Sequence, residues 1–300
     1  MCAERLCPSF NTFFKATYIV YTFNFNNHLK ILSTPWVLAI INMTPDSFYS
    51  VSRHGVLAEC YKTIDRHLAE GADGLDVGGC STRPGAEIVS EEEEWNRIMP
   101  ALEYIRNKKE DVIVSVDTFR ANIARKAVER YGVQIVNDIS GGEMDADMFD
   151  TVAALRCAYI LMHMRGTPYT MMQHSGYDNL LSEITAYFSD KLAHLTKIGV
   201  RDVILDPGFG FAKTTEQNYN LLRHLHSLQL FQRPLLVGIS RKTMLQQVID
   251  SSAESALNAT TAVHVIALLQ NADLLRVHDV REAKETIKII SQINNINQPL

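Results

Sequence analysis

The chain has 300 residues, of which 46% are hydrophobic and 21% are charged, and its formal net charge is −5 at neutral pH. This composition is typical of a globular protein with a large core, and the mild negative charge excludes the basic surface used by nucleic-acid binding proteins. No apolar stretch reaches the roughly 20 residues that cross a bilayer. Five scattered cysteines without a C-x-x-C pair favour neither disulfides nor a zinc site. We therefore expect a cytoplasmic protein with small-molecule partners, no nucleic acid and no membrane.

From Trp36 onward, short β-branched apolar runs alternate with longer segments of helical period, which is the pattern of repeated βαβ units. The predicted strands are 37–41, 74–77, 112–116, 134–136, 158–162, 202–205, 235–239 and 273–277. The predicted helices are 56–70, 91–108, 120–131, 146–155, 180–198, 215–227, 254–270 and 281–293. These eight pairs predict an α/β fold, a single (β/α)8 TIM barrel over residues 36–295. Residues 1–35 are an N-terminal extension of unknown role, interpreted as a tail or an added strand.

A doubly wound open sheet is the alternative architecture. Its dinucleotide-binding form carries G-x-G-x-x-G after the first strand, where this chain reads NMTP at 42–45. The GFG run at 208–210 supplies only half of that motif, because Lys213 stands where the third glycine is required. The sequence therefore favours the barrel.

Polar side chains lie at the end of every predicted strand. They are Asn42, Asp76, Asp117, Asn137 with Asp138, His163 with Arg165, Asp206, the run Ser240-Arg241-Lys242, and Arg276 with His278. The carboxyl ends of barrel strands meet at one mouth, where active sites are built. The structural alternative is that an Asp or Asn at this position only caps the next helix, and this alternative stays open for Asp117 and Asp138.

Basic side chains at the last two strand ends indicate an anion site. Lys242 and Arg276 at helix N-termini would oppose the helix dipole unless an anion shares the site. Arg276 and His278 are separated by one residue and so lie on the same face of a strand, and Arg83 is a third candidate for the same anion. For His278, packing in a structural role is the alternative.

A second set of polar residues suits a flat heterocycle. Asp117, Asn137, Asp206 and Lys242 offer two carboxylates, an amide and an ammonium group. These groups complement the alternating donors and acceptors of a pyrimidinone-type ring, and each group buried without a partner would cost about 1–3 kcal/mol. The sequence therefore predicts specificity for such a ring.

Two long loops follow the first two strands, MTPDSFYSVSRHG at 43–55 and GGCSTRPGAE at 78–87. Both contain Ser, Thr, Pro and Gly without an apolar anchor run, which makes them candidate mobile lids. Phe48 on the first loop could stack on an aromatic substrate. Packing of this ring on the barrel rim is the alternative.

Eight motifs lie at or next to these strand ends. They are INMTPDSF at 41–48, DVGGCSTRPGA at 76–86, SVDT at 115–118, NDISGG at 137–142, LMHMRGTPYTMMQ at 161–173, LDPGFGFAKT at 205–214, GISRK at 238–242 and RVHDV at 276–280. In kind and in order over residues 37–290 they resemble the motifs of the dihydropteroate synthases, a family of pterin-binding TIM barrels. The resemblance implies that 6-hydroxymethyl-7,8-dihydropterin pyrophosphate condenses with p-aminobenzoate to give 7,8-dihydropteroate and pyrophosphate, a step of folate biosynthesis that sulfonamides inhibit.

The resemblance also implies roles for individual residues. The pterin would be bound by Asp117, Asn137, Asp206, Lys242 and Arg276. The p-aminobenzoate and its loops would involve Asp46, Phe48, Thr82, Arg83, Phe211 and Ser240. Pyrophosphate would lie at Asn42, Arg276 and His278, with Mg²⁺ as the cofactor at Asn42. The implied catalytic residues are Asp117, Asp206, Lys242, Arg276 and His278.

The implied mechanism is SN1-like. The C–O bond at the pterin methylene breaks first, because the electron-rich ring delocalises the cation, and the amine attacks afterwards. Mg²⁺, Arg276 and His278 would stabilise the departing group, as metal and Arg clamps do for phosphates. Asp117 and Asp206 would leave negative charge beside the cation.

The chain departs from the common family pattern at two positions. Ser50 stands where many members carry an acidic residue credited with stabilising the cation or ordering the first loop, and Asp46 is the acid that this loop keeps. Cys80 replaces a glutamate in the second loop, and the implied mechanism needs no cysteine nucleophile. These changes bear on the loops and on sulfonamide affinity rather than on the pterin pocket.

Two functional alternatives remain. A pterin-dependent methyltransferase barrel shares the Asp and Asn pocket but has no use for the pyrophosphate cluster of Arg276 and His278. A catalytically silent pterin-binding paralogue would bind the pterin pyrophosphate without forming product. Homodimers are common in the family, and nothing else in the sequence indicates one.

Overall fold

The structure is a computed structural model in which residues 19–25, 28–44, 53–81, 88–108 and 111–296 are described. The strands are β1 (Tyr21–Phe25), β2 (His28–Leu32), β3 (Trp36–Asn42), β4 (Gly74–Gly78), β5 (Ile113–Asp117), β6 (Ile135–Asp138), β7 (Ala158–Met162), β8 (Val203–Asp206), β9 (Leu236–Val237) and β10 (Leu274–Val277). The α-helices are α1 (Arg53–Ala69), α2 (Glu91–Lys108), α3 (Ala121–Tyr131), α4 (Met148–Leu155), α5 (Leu180–Lys197), α6 (Thr215–Arg223), α7 (Thr243–Ile249), α8 (Leu257–Leu269) and α9 (Val280–Ile296). Within the described ranges, two 3₁₀ segments span Met171–His174 and Leu225–Phe231.

Strands β3 to β10 form a parallel barrel. They pair in the order β8-β7-β6-β5-β4-β3-β10-β9. A parallel bridge between Leu205 and Leu235, with the Leu205 N–H donating to the Pro234 carbonyl at 2.8 Å, joins the two edges of this sheet. Helices follow the strands along the chain and cover the outside of the cylinder. The predicted (β/α)8 fold class is therefore confirmed.

Alternation along the strands separates two of the three buried apolar clusters in the described residues. One core fills the start of the barrel interior and contains Leu38, Ile113, Ile135, Ala158, Ile160, Ile204, Leu236 and Leu274. The other lies between the barrel and its helices and includes Leu75, Val77, Val136, Leu205 and Leu275. Side chains alternate with a period of two, so polar residues that lie two positions beyond the interior apolar residues also point inward. This parity places the strand-end polar groups inside the mouth.

The N-terminal hairpin closes the opposite end of the barrel. Strands β1 and β2 pair antiparallel, and they bury Phe23, Phe25 and Leu32 against the interior apolar core. The Asn24 N–H also donates to Asp202 Oδ2 at 3.0 Å, next to the start of β8. The sequence had indicated only a tail or an added strand, so this hairpin is a finding of the structure. Residues 1–18 lie outside the described part of the chain.

One helix was absent from the sequence prediction. Helix α7 lies directly after the loop that follows β9, and Lys242 is its N-cap residue. The helix predicted from 254 begins instead at Leu257, because the preceding residues form a turn in which Ala256 N donates to Ala253 O at 3.3 Å. A short helix therefore occupies part of a segment that had been interpreted as a loop.

Two other boundaries were wrong. The helix predicted over 215–227 ends at Arg223, after which the chain tightens into a 3₁₀ segment. The strand predicted over 235–239 is reduced to two residues, because the chain turns where Lys242 N donates to Ile239 O at 3.1 Å. The remaining predicted elements are present with ends shifted by a few residues. No helix in the described ranges is long and apolar enough to span a bilayer.

The hairpin packing predicts a large effect of Phe23→Ala on stability. Phe23 is 2% exposed and contacts the floor of the barrel, so its truncation should lower the free energy of unfolding by about 3–5 kcal/mol. Ile31→Ala is the matched control, because Ile31 is 60% exposed on the outer face of the same hairpin. Urea denaturation measures both variants. Equal unfolding free energies for the two would contradict the packing.

Candidate active site

The strand register aligns the polar residues at the mouth. Asn42 on β3 is level with Gly78 on β4, Gly78 is level with Asp117 on β5, and Asp117 is level with Asn137 on β6. A Cβ at Gly78 would lie 3.2 Å from the Asp117 Cβ, so the glycine leaves room for that carboxylate. Three predicted site residues thus share one row of the barrel.

Arg276 joins two of the strand-end carboxylates. Its Nε donates to Asp76 Oδ2 and its Nη2 donates to Asp117 Oδ2, each at 2.6 Å. Asp76 Oδ2 also accepts from Asn137 Nδ2 at 3.0 Å. Asp76 is fully buried and connects two residues of the predicted site, although the sequence had named it only as a polar strand end without a role. An acid at an inward position of a buried strand was the only signal of it in the sequence.

Burial and neighbouring charges set the protonation of this cluster. Burial raises the pKa of Asp117 to about 7, the Arg276 charge opposes that rise, and the Asp76 charge adds to it. Burial by itself would lower the pKa of Arg276, but Asp76 and Asp117 hold it above its usual value, so the guanidinium stays charged. Two carboxyl groups therefore share one fixed positive charge.

Asp206 and Lys242 form the other side of the mouth. Asp206 is 6% exposed, and its Oδ1 accepts from the Gly208 N–H at 2.8 Å. Burial raises the pKa of Asp206, and the nearby Lys242 opposes the rise. Lys242 Nζ donates to the Phe209 carbonyl and lies 4.5 Å from the centroid of the Phe211 ring. Burial lowers the pKa of Lys242 to about 8, against the Asp206 charge, which raises it.

Lys213 supports the loop between Asp206 and Phe211 from below. Its Nζ lies 3.0 Å from the Gly208 carbonyl oxygen, 3.1 Å from the Phe211 carbonyl oxygen and 3.0 Å from His163 Nδ1. Gly208 adopts φ +71°, and a Cβ there would lie 2.0 Å from the His163 carbonyl oxygen. Sequence reasoning had treated Lys213 only as a missing glycine and His163 only as a polar strand end. The structure shows both as buried supports of the loop.

The rim beyond β9 and β10 carries Ser240 and His278. Ser240 Oγ lies 3.0 Å from His278 Nδ1 and also accepts the His278 backbone N–H at 3.3 Å. His278 is exposed at this rim, and partial desolvation of its ring together with the Arg276 charge lowers its pKa. Arg241 donates to Asp279 through Nε at 2.8 Å and Nη2 at 2.7 Å. The positive charge of Arg241 is therefore paired with the Asp279 carboxylate.

Asp138 has a structural role. Its Oδ1 accepts from the N–H and the hydroxyl of Ser140, both at 2.7 Å. Its Oδ2 accepts from the Gly142 N–H at 2.8 Å and the Tyr159 hydroxyl at 2.7 Å. The helix-capping alternative had stayed open for both acids. Asp138 binds the turn after its strand instead of a helix N-terminus, and Asp117 contacts Arg276.

Several predicted loop residues cannot be placed. Asp46, Phe48, Ser50, Thr82 and Arg83 lie outside the described ranges. At the edge of the second loop, Cys80 is half-buried, and burial raises the pKa of its thiol. This residue is therefore a neutral thiol near neutral pH.

The sequence of this chain is similar to sequences of known proteins. The family model described as "Pterin binding enzyme" matches residues 38–278. The dihydropteroate synthase of Escherichia coli strain K12 is 39% identical over 261 residues, which cover 86% of this chain and 92% of that protein. Both matches span the barrel strands that carry the candidate site.

Two solved structures are similar over nearly the whole chain. The Yersinia pestis dihydropteroate synthase with a sulfonamide drug complex has a TM-score of 0.86 at 36% identity, covering 92% of this chain and 100% of that one. The dihydropteroate synthase from Xanthomonas albilineans in complex with 7,8-dihydropteroate has a TM-score of 0.82 at 30% identity, covering 93% and 100%. The chain therefore belongs to the pterin-binding enzymes and, within them, to the dihydropteroate synthase family.

Proposed function

We propose that the chain catalyses the condensation of 6-hydroxymethyl-7,8-dihydropterin pyrophosphate with p-aminobenzoate, giving 7,8-dihydropteroate and pyrophosphate. The observation that carries this proposal is the convergence of Asp117, Asn137, Asp206, Lys242 and Arg276 at one barrel mouth. The family relationship supports it, because a member of the same family binds 7,8-dihydropteroate. The catalytic unit is proposed to be residues 36–295, with the N-terminal hairpin as its floor.

The pterin ring is proposed to lie between Asp206 with Lys242 on one side and Asp117 with Asn137 on the other. Because Asp206 Oδ1 takes the Gly208 N–H, its Oδ2 is the oxygen left for ring N–H donors. A Cβ at Gly238 would lie 3.9 Å from that Oδ2, so the glycine keeps the adjoining space open. Lys242 provides a donor for the ring carbonyl. Specificity follows because unmatched buried polar groups are costly.

The reaction begins with heterolysis of the C–O bond at the pterin methylene. The bonding electrons leave with pyrophosphate, and the ring delocalises the positive charge. Asp117 and Asp206 stabilise the cation, while Arg276 and His278 interact with the departing group. The amine nitrogen of p-aminobenzoate then forms the new C–N bond and releases one proton. No covalent enzyme intermediate is required.

The residues present fit a magnesium ion that is held mainly by substrate. No cluster of three or more His, Cys, Asp or Glu side chains suited to a metal occurs in the described ranges. Asn42 offers a hard amide oxygen at the end of β3, and Mg²⁺ in phosphate-binding sites takes few protein ligands and several phosphate oxygens. We assign Asn42 as its protein ligand. A bound Mg²⁺ would neutralise charge on the pyrophosphate.

The p-aminobenzoate is proposed to bind near Phe211 and Ser240, which the structure places at the same mouth. Phe211 is 9% exposed beneath the Lys242 ammonium, and Ser240 contacts His278. Asp46, Phe48, Thr82 and Arg83 complete this proposal from the two loops. A sulfonamide occupying the same position would compete with p-aminobenzoate.

A homodimer and a cytoplasmic location are further parts of the proposal. Apolar side chains on the adjoining helices α7 and α8 support a subunit contact, because Val248 is 62% exposed, Ile249 40% and Ile266 43%. The cysteines support a reducing compartment, because Cys60, Cys80 and Cys157 are free thiols.

A product assay tests the proposed function. Purified protein with the pterin pyrophosphate, p-aminobenzoate and Mg²⁺ should form dihydropteroate and pyrophosphate in equal amounts. Calorimetric binding of the pterin pyrophosphate without any product would favour the silent paralogue instead. Methyl transfer without pyrophosphate release would favour the methyltransferase. Either result would contradict the proposal.

Asp206→Ala should weaken binding of the pterin pyrophosphate roughly 100-fold or more, because it removes the charged partner of the ring donors. Isothermal titration calorimetry measures the affinity. Asp190→Ala is the control, because it removes an exposed carboxylate from α5, away from the mouth. Equal affinities for the two variants would show that Asp206 does not contact the ring.

The pKa values of Asp117 and Lys242 predict a bell-shaped pH profile of kcat/KM for the pterin substrate. The Asp117 carboxylate forms as pH rises through about 7, and the Lys242 ammonium is lost as pH rises through about 8. Because kcat/KM reports the free enzyme, it should rise across the first value and fall beyond the second. Asp117→Asn should lack the acid limb. A flat wild-type profile would refute these assignments.

A further inference from the structure

Asp76 is a fully buried acid that the proposed reaction does not use. It lies at the middle of β4, level with Ile40 on β3 and Ser115 on β5. One oxygen, Oδ2, accepts from both Arg276 Nε and Asn137 Nδ2. The other oxygen, Oδ1, is buried and has no hydrogen-bond partner among the described residues. Burying such a group is costly, so its position calls for a functional explanation.

The first consequence concerns the Asn137 amide. A carboxylate only accepts hydrogen bonds, so the atom of Asn137 that faces Asp76 must be the amino group Nδ2. The amide oxygen then faces the other way as an acceptor. If Asp76 were an amide, the Asn137 side chain could turn over and present a donor instead. Asp76 therefore determines which hydrogen-bond pattern Asn137 offers.

The second consequence concerns the Arg276 guanidinium. Asp76 takes its Nε and Asp117 takes its Nη2, so two edges of the planar group are held by separate strands. Two such contacts fix both the position and the plane of the guanidinium. Without Asp76, Arg276 would keep only one of these two hydrogen bonds, the one to Asp117. Asp76 thus holds Arg276 in the orientation that the mouth requires.

We propose that Asp76 is a positioning and specificity-determining residue, which orients the Asn137 amide oxygen and the Arg276 guanidinium toward the pterin. The inference rests on the proposed function, because it concerns the same substrate. Asp76 acts through its two neighbours. The ligand class that this orientation favours is a ring that presents an N–H donor to Asn137.

Asp76→Asn tests this proposal, since the amide has the same shape as the carboxylate. Removing one partner of a buried ion pair is destabilising, so a purely structural role predicts a lower unfolding midpoint but a normal KM in the folded enzyme. We expect instead a rise in KM for the pterin pyrophosphate of about 10- to 100-fold, the size of effect seen when an orienting partner is lost. KM for p-aminobenzoate should change less than about twofold, because Asp76 contacts the pterin residues alone.

The pH profile supplies a second readout, which reports whether the Asp76 charge acts on Asp117. The charged groups facing Asp117 are Arg276 on β10, Asp76 on β4, Glu94 on α2 and Asp138 on β6. Removing the Asp76 charge favours ionisation of Asp117, so the acid limb of kcat/KM should move to lower pH by about 1 unit. Ser115→Ala is the matched control, because Ser115 is level with Asp76 on the neighbouring strand. The acid limb of kcat/KM for this variant should stay at the wild-type pH.

A charge-swapped double variant covers the case in which Asp76→Asn does not fold. Asp76→Asn with Asn137→Asp keeps one carboxylate, one amide and the hydrogen bond between them, so the unfolding midpoint should recover. The carboxylate at position 137 still offers an acceptor to the ring, but the atom at position 76 that faced Arg276 Nε is now an amide nitrogen, which cannot accept from it. The guanidinium therefore stays released from β4, and pterin affinity should stay low. A wild-type KM in the swapped variant would overturn the proposal, as would an unchanged KM and acid limb in a folded Asp76→Asn variant. If the proposed function itself fails, wild type and Ser115→Ala will also form no product.

Discussion

The structure depends on one guanidinium held between two acids inside a barrel. Arg276 donates to Asp76 and to Asp117 at 2.6 Å each, and Asp76 is fully buried whereas the other two side chains are partly buried. Desolvation of such a group opposes folding, and it is tolerated only where each charge finds a partner. Because there are two carboxyl groups for one guanidinium, the mouth keeps acceptor capacity that the protein does not satisfy. These unsatisfied acceptor oxygens can accept hydrogen bonds from a ring rich in N–H donors. They can also stabilise the cation that later forms at the ring's methylene.

The barrel interior supports this cluster on the side opposite the mouth and excludes water from there. The apolar layer of the interior and the hairpin side chains Phe23 and Phe25 fill the end of the cylinder opposite the mouth. Lys213 fixes the loop that carries Asp206 toward Phe211 through two carbonyl oxygens. The site is therefore assembled from strand ends, whose positions the barrel register sets, and from one loop with its own buried support. Such preorganisation reduces the reorganisation needed during the reaction.

Much of this arrangement could be predicted from the sequence, because side-chain parity along a strand is a local property. The inward direction of Asn137, Asp206 and Arg276 follows from apolar residues two positions earlier in each strand, and that of Asp117 follows from Ile113, four positions earlier. Contacts between strands are different, since they depend on the barrel register. The pairing of Asp76 with Arg276 joins residues 200 positions apart and has no local signature. The sequence therefore named Asp76 as a polar strand end but did not indicate its contacts with Arg276 and Asn137.

Hydrophobic periodicity in the sequence also failed to predict the short and irregular elements. Helix α7 has seven residues, too few for a helical period to stand out, and β9 has two. The ion pair between Arg241 and Asp279 could not be foreseen either, and it removes a cation that the sequence had assigned to the mouth. In each case a tertiary contact decided the outcome.

A crystal structure of the protein with bound dihydropterin pyrophosphate tests the central claim most directly. The account predicts that the ring edge contacts Asp206, Lys242 and the amide oxygen of Asn137, with Arg276 still bound to both acids and the phosphates toward His278. A pterin bound elsewhere, or an Asn137 amide turned with its nitrogen toward the ring, would contradict it.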